Sequence, residues 1–146
     1  AQLYAAQNKL DESIKSTLQT LQSPISRTNV GVWFQLGLLY YQKEDYASAR
    51  DALERAVELN PNYSNAKYFL GLIYDRDGRG EDALKQFRDI AVLYPDNEEV
   101  KNIIAALEQG KKASDVLGTP PPEKRTEAPL KEQAKPRTQE PASSLP

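Results

Sequence analysis

The chain has 146 residues, 39% hydrophobic and 27% charged, with a formal net charge of −2 and no Cys, His or Met. These absences exclude disulfides, iron–sulfur clusters, thiolate nucleophiles, a Ser-His-Asp triad and His-ligated metal sites. A chain that starts without Met reads as a fragment or a processed form.

Composition divides the chain in two. All twelve aromatics lie between Tyr4 and Tyr94, and seven of the ten prolines lie between Pro120 and Pro146. Residues 1–110 carry 12 basic and 16 acidic side chains, and residues 111–146 carry 7 and 5. Neither part has the basic stripe of a nucleic-acid binder or the clustered Lys and Arg of a lipid-headgroup patch. No apolar run approaches the roughly 18 residues of a membrane span, so neither nucleic acid nor membrane insertion is expected.

In chain order, Leu10, Ile14, Leu18 and Leu21 form the first helix face. Ala1–Gln7 reads as the end of an earlier helix, so residues 1–28 read as a truncated helix pair. Ser23-Pro24-Ile25-Ser26-Arg27 is a linker. Trp33, Leu36, Gly37 and Tyr40 then follow i, i+3, i+4, i+7 spacing, which is one helix face. Lys43-Glu44-Asp45 is a turn, with Asp45 as N-cap. Ala49, Leu53 and Ala56 form the facing stripe, and small Ala49 is expected beside Gly37. A helix-interior Gly costs about 1 kcal/mol against Ala, which close helix approach would offset. Asn60-Pro61-Asn62 ends this helix, and Asn62 is expected to cap the next.

The pattern then repeats. Leu36-Gly37 matches Leu70-Gly71, Tyr40 matches Tyr74, Ala49 matches Ala83, Leu53 matches Phe87 and Pro61 matches Pro95, each pair 34 residues apart. Gly78-Arg79-Gly80 takes the turn. A further helix is expected from Pro95-Asp96-Asn97-Glu98-Glu99, with Asp96 and Glu99 as a capping box and Val100, Ile103, Ile104 and Leu107 as its apolar face. With no helix after it, it reads as the solvating cap of a repeat array.

These residues resemble the tetratricopeptide repeat family, whose 34-residue pattern has Trp, Leu-Gly, Tyr, Ala, Phe and Pro at fixed offsets. The second unit departs from it at Lys67, in the Trp place, and at Ile90, in the second Ala place. The resemblance covers residues 1–109. It implies an all-α, short right-handed solenoid of antiparallel helix pairs: a truncated pair at 1–28, repeats at 29–62 and 63–96, a capping helix at 97–110, and a disordered Pro- and charge-rich tail at 111–146. The run Leu70-Gly71-Leu72-Ile73-Tyr74-Asp75-Arg76-Asp77-Gly78 also looks like repeat tails on bacterial cell-envelope proteins, including polysaccharide-ligase-like ones. That implies a cytoplasmic or envelope-associated bacterial protein.

A second stripe lies at about 80–140° from Trp33: Phe34, Leu38 and Tyr41. Its equivalents are Tyr68, Leu72 and Asp75, then Asn102, Ala106 and Gln109. In similar proteins this row lines a concave groove that holds partner peptides. The candidate groove is therefore Phe34, Leu38, Tyr41, Gln42, Asn65, Tyr68, Leu72, Asp75, Arg76 and Asn102, since aromatics and Arg are the usual anchors. The competing reading is that these residues only pack between repeats. A chaperone-tail clamp would carry Lys and Asn at the Phe34 and Leu38 places, where this chain is apolar.

Asp75-Arg76-Asp77-Gly78 lacks the spacing of a calcium loop and reads as a turn. Asn62-Tyr63-Ser64 fits a glycosylation sequon by chance spacing. Carboxylate pairs such as Glu81-Asp82 fall at helix starts. Neither a metal nor a cofactor is expected. The tail cannot bury enough apolar surface to order itself, though a short extension of the cap helix over Ser114–Gly118 is expected. Its Pro120-Pro121-Pro122 run could also serve as polyproline bait for the protein's own groove. The function expected is a non-catalytic scaffold that binds a protein or peptide partner. The alternative is a structural C-terminal solenoid segment of a larger bacterial cell-envelope protein, with no ligand of its own.

Overall fold

The computed structural model describes residues 2–117 and 129–131. Six helices follow one another: α1 (Gln2–Thr20), α2 (Val30–Gln42), α3 (Tyr46–Leu59), α4 (Ser64–Arg76), α5 (Gly80–Leu93) and α6 (Glu98–Glu108). Short 3-10 turns lie at Ser26–Thr28 and Ala113–Asp115, and the described residues contain no strand. Each helix packs on its chain neighbours, with α2–α3 and α4–α5 as the closest pairs. This is the helical solenoid that the 34-residue spacing implies. The remainder of the expected tail, 118–128 and 132–146, lies outside the described residues, and Pro120–Pro122 with it.

Local chemistry fixes the helix ends. The Asn29 side chain accepts from the amides of Gly31 and Val32, and Asp45 accepts from Ser48. These side chains satisfy donors that an α-helix leaves unpaired. Three sequence expectations are corrected nearby. Asn62 does not cap α4; its amide instead donates to the Asn60 side chain at 3.0 Å, and α4 starts at Ser64 without a side-chain cap. Asn97, not Asp96, caps α6 by accepting from the Val100 amide at 2.9 Å. The expected helix pair at 1–28 is one continuous helix, α1, because no Gly or Pro interrupts Gln2–Thr20.

The two inter-helix turns share a backbone device despite different residues. Glu44 (φ 66°) and Gly78 (φ 78°) both take the left-handed conformation 34 residues apart. Gly does so without a Cβ penalty, while Glu44 is held there by the turn's backbone hydrogen bonds, Glu44 N–H to Tyr41 O and Asp45 N–H to Tyr40 O. Gly110 repeats the conformation after α6 and ends that helix. The Ser114–Gly118 extension of α6 is therefore corrected: the chain turns away and forms the separate turn at Ala113–Asp115.

Packing explains the glycines. A Cβ on Gly37 would lie 2.7 Å from Leu53 Cγ and Cδ2, and one on Gly71 would lie 2.6 Å from Phe87 Cε2. The side chain nearest to Gly37 is thus Leu53. The larger side chain presses on the bare helix, and Ala49 is wholly buried in the same core. Leu53, Ile73, Phe87, Ile90, Val100 and Ile103 are wholly buried, so one apolar core runs from α2 to α6. A second cluster, with Ile14, Leu21, Leu36, Leu39 and Ala52, joins α1 to the first pair.

The departure at Lys67 has a local reason. In the first unit Trp33 Nε1 donates to Arg27 O at 2.9 Å. In the second, Lys67 Nζ donates to Asp89 on α5 at 2.9 Å, and Lys85 adds a second bond at 3.1 Å. Burial pushes Asp89 upward, but the two lysines outweigh it and hold its carboxyl below the usual range.

Tyr74 donates to Glu54 Oε2 at 2.7 Å and lies under the Arg79 guanidinium, 4.3 Å from the ring centre. Burial, then the Glu54 bond, raises its pKa well above the ordinary value of 10.0. The folded state therefore holds this proton more tightly than the unfolded state. Its stabilisation is complete below pH 10 and is lost as pH rises beyond it. Denaturant midpoints measured from about pH 8 to 11 should fall above pH 10 in the wild type, and Tyr74→Phe should flatten that alkaline fall. Equal slopes would show that Tyr74 is not the group responsible.

Candidate peptide-binding groove

α2, α4 and α6 are the first helices of successive units, and their facing side chains meet along one row. Phe34 packs against Phe69 and Tyr63, with ring centres 6.2 and 5.3 Å apart. Tyr41 meets Phe69 edge-on at 5.1 Å and Tyr46 at 5.3 Å. Tyr68 meets Phe69 and Phe87 edge-on, and its hydroxyl donates to Glu99 Oε1 on α6 at 2.9 Å. Such edge-to-face pairs suit the ring quadrupoles and fix side-chain directions.

The ten sequence candidates separate by burial. Tyr41, Tyr68, Leu72, Asn65 and Asp75 are buried, with Tyr68 at 0% exposure. Phe34, Leu38 and Gln42 are half-buried, and Phe34 and Leu38 border the main core. Arg76 and Asn102 are exposed. The Arg76 guanidinium sits over the Tyr46 ring, 4.0 Å from its centre, in a cation–π contact. Several row aromatics therefore also bind the repeats to each other, as the competing packing reading has it.

Asn65, Tyr68, Leu72 and Asp75 share one face of α4, at i, i+3, i+7 and i+10. Both ends of this row hold main-chain groups from later in the chain. At one end Asp75 Oδ2 accepts from the Ala113 amide at 2.8 Å, while Lys112 Nζ donates to the Asp75 carbonyl at 2.8 Å. At the other end Asn65 Nδ2 donates to Leu130 O at 2.6 Å, and the Leu130 amide donates to Asn65 Oδ1 at 2.9 Å. Beside it, the Tyr94 hydroxyl donates to Lys131 O at 2.6 Å. The row thus takes main-chain amide and carbonyl groups through side-chain amide, carboxylate and hydroxyl groups.

Sequence reasoning passes over Tyr94, Glu99 and Leu130. Tyr94 immediately precedes the Pro95 that ends a repeat, which is a usable signal for a linker aromatic. Glu99 reads from sequence as half of a capping box, and Leu130 carries no periodic signal at all. No group of three or more potential metal ligands occurs among the described residues. No described helix is long and apolar enough to cross a membrane.

Comparisons with known proteins agree with this architecture. A family model described as tetratricopeptide repeat matches residues 34–98. Superkiller protein 3 of Schizosaccharomyces pombe is 32% identical over 97 residues, which is 65% of this chain and 7% of that protein. Tetratricopeptide repeat protein 13 of Homo sapiens is 26% identical over 90 residues, 61% of this chain and 10% of that protein. The chain therefore spans a tenth or less of the length of these curated relatives. Among solved structures, that of MamA protein superposes with a TM-score of 0.63 at 26% identity, covering 69% of this chain and 54% of that one.

Proposed function

The chain belongs to the tetratricopeptide repeat family, a family of interaction modules, and from that premise we propose that its groove binds an extended segment of a protein partner. The observation that carries this reading is the α4 row, where Asn65 engages both main-chain groups of a single residue. An amide side chain can offer one donor and one acceptor to any extended residue that presents them. Phe34, Leu38 and Tyr41 supply the apolar wall, and Gln42, Arg76 and Asn102 supply the polar rim.

Binding can be tested with a random library of 12-residue peptides selected against the full chain. Selected peptides should bind an Asn65→Leu, Arg76→Ala double variant at least tenfold more weakly. Tyr68 is unsuited to Ala replacement, because its ring is wholly buried. Tyr68→Phe keeps the packing and removes only the hydroxyl. Circular dichroism should show unchanged helix content in both variants. Equal binding to wild type and variants would sink the groove reading and favour the structural-segment alternative.

A further inference from the structure

We propose that Pro129-Leu130-Lys131 is a built-in ligand of this groove, held on Asn65 and Tyr94 in the free chain, so that a partner binds only by displacing it. The proposal rests on the groove reading above and specifies both how the groove is regulated and what its partner must offer.

Four observations support it. Asn65 is 2% exposed, and both of its polar atoms are satisfied by one residue, Leu130. Leu130 offers this buried side-chain amide both an N–H and a carbonyl, and pairing of that kind offsets the cost of burying polar atoms. Leu130 is itself 5% exposed and belongs to the same buried cluster as Tyr68, Phe69 and Leu72. An aliphatic side chain therefore fills the apolar part of the site while the backbone fills the polar part. Pro129, half-buried, precedes it; its fixed φ reduces the entropy lost when the segment orders. Lys131 is exposed and contributes only its carbonyl, to Tyr94.

The second anchor makes the arrangement directional. Asp75 holds Ala113, ten residues beyond Asn65 on the same helix, or about 15 Å along its axis. The chain's own later residues therefore bracket Tyr68 and Leu72 from both ends of the row. A competing partner must supply the same chemistry: a peptide with one aliphatic residue whose amide and carbonyl both face Asn65. No charge on the partner is required at this position, because the Asn65 contact involves only neutral groups.

The test uses the full chain, with a fluorescein-labelled peptide of residues 125–135 as probe. Leu130→Asp should release the internal segment and leave Asn65 in place. Fluorescence anisotropy should then show the probe binding Leu130→Asp at least tenfold more tightly than wild type. Adding Asn65→Leu to Leu130→Asp should abolish the gain; adding Tyr94→Phe, which perturbs the fold less, should reduce it. No gain in Leu130→Asp overturns the proposal. Because the chain has no Cys, Lys131→Cys gives a single nitroxide attachment site. The label should broaden the amide signals of Asn65 and Tyr68 to the same extent at all protein concentrations. Absence of broadening overturns the proposal, and broadening that grows with concentration overturns it in favour of a second copy as occupant. If either failure occurs while library peptides still depend on Asn65, the groove reading stands and only the built-in ligand falls. If broadening occurs but no peptide depends on the groove, both fall and the contact is a structural clasp.

Discussion

Replacing Phe87 by Ala is expected to cost about 3–5 kcal/mol, the usual range for truncating a wholly buried aromatic. The ring is buried against Gly71 and meets Tyr68 edge-on at 5.8 Å. Gly71→Ala is the instructive companion. Helix propensity alone would favour Ala by about 1 kcal/mol. The added methyl, however, would lie 2.6 Å from the Phe87 ring, and overpacking of this kind costs about 1–3 kcal/mol. A net loss of up to about 2 kcal/mol is therefore expected from Gly71→Ala alone. In the double variant the methyl enters space that the ring has vacated, so the combined loss should be smaller than the sum of the two. Urea midpoints for the four proteins of this cycle measure the coupling. Strict additivity would mean that Gly71 is not accommodating Phe87.

Ile103→Asp should have a comparably large effect, of a different kind. Ile103 is wholly buried on α6, and an uncompensated buried carboxylate costs about 3–5 kcal/mol. In a solenoid each unit contacts only its neighbours, so the damage should be graded along the chain. Hydrogen exchange should show α6 unprotected and α5 weakened, while α2 and α3 retain most of their protection. Uniform loss from α2 to α6 would show that the helices open as one unit and would contradict the nearest-neighbour description.

The fold is legible in the sequence because its signal is redundant. Leu-Gly, Tyr, Ala and Pro recur at one spacing, and any one of them could be lost without obscuring the repeat. Individual helix starts are less legible. Asn60, Asn62, Asp96 and Asn97 are all good capping residues, and local sequence does not say which of two neighbours takes the role. The backbone path decides that, and it pairs Asn60 with the Asn62 amide and Asn97 with α6. The partner of Gly37 is hidden for a similar reason. Small-beside-small is an intuitive rule, but the interface places a large Leu53 against the bare backbone. The groove row can be drawn from helix geometry, because Phe34, Leu38, Tyr41, Tyr68, Leu72 and Asp75 obey its period. Which of them are wholly enclosed cannot, since enclosure depends on rings from three helices. The contact between Asn65 and Leu130 spans 65 residues and leaves no periodic trace. Proline content draws attention to Pro120–Pro122, whereas the residues that meet Asn65 and Tyr94 are a nondescript Pro-Leu-Lys.

The anchor at Ala113 has a consequence for competition at Asn65. It lies only 17 positions before Leu130 in the chain, so Leu130 is never free to diffuse away from the site. A short covalent tether typically presents its end at an effective concentration on the order of millimolar. A free peptide with the same intrinsic affinity would have to reach that concentration to hold the site half the time. On the proposed displacement, a partner present at micromolar levels would need either roughly a thousandfold more affinity, about 4 kcal/mol from contacts elsewhere along the row, or a tether of its own.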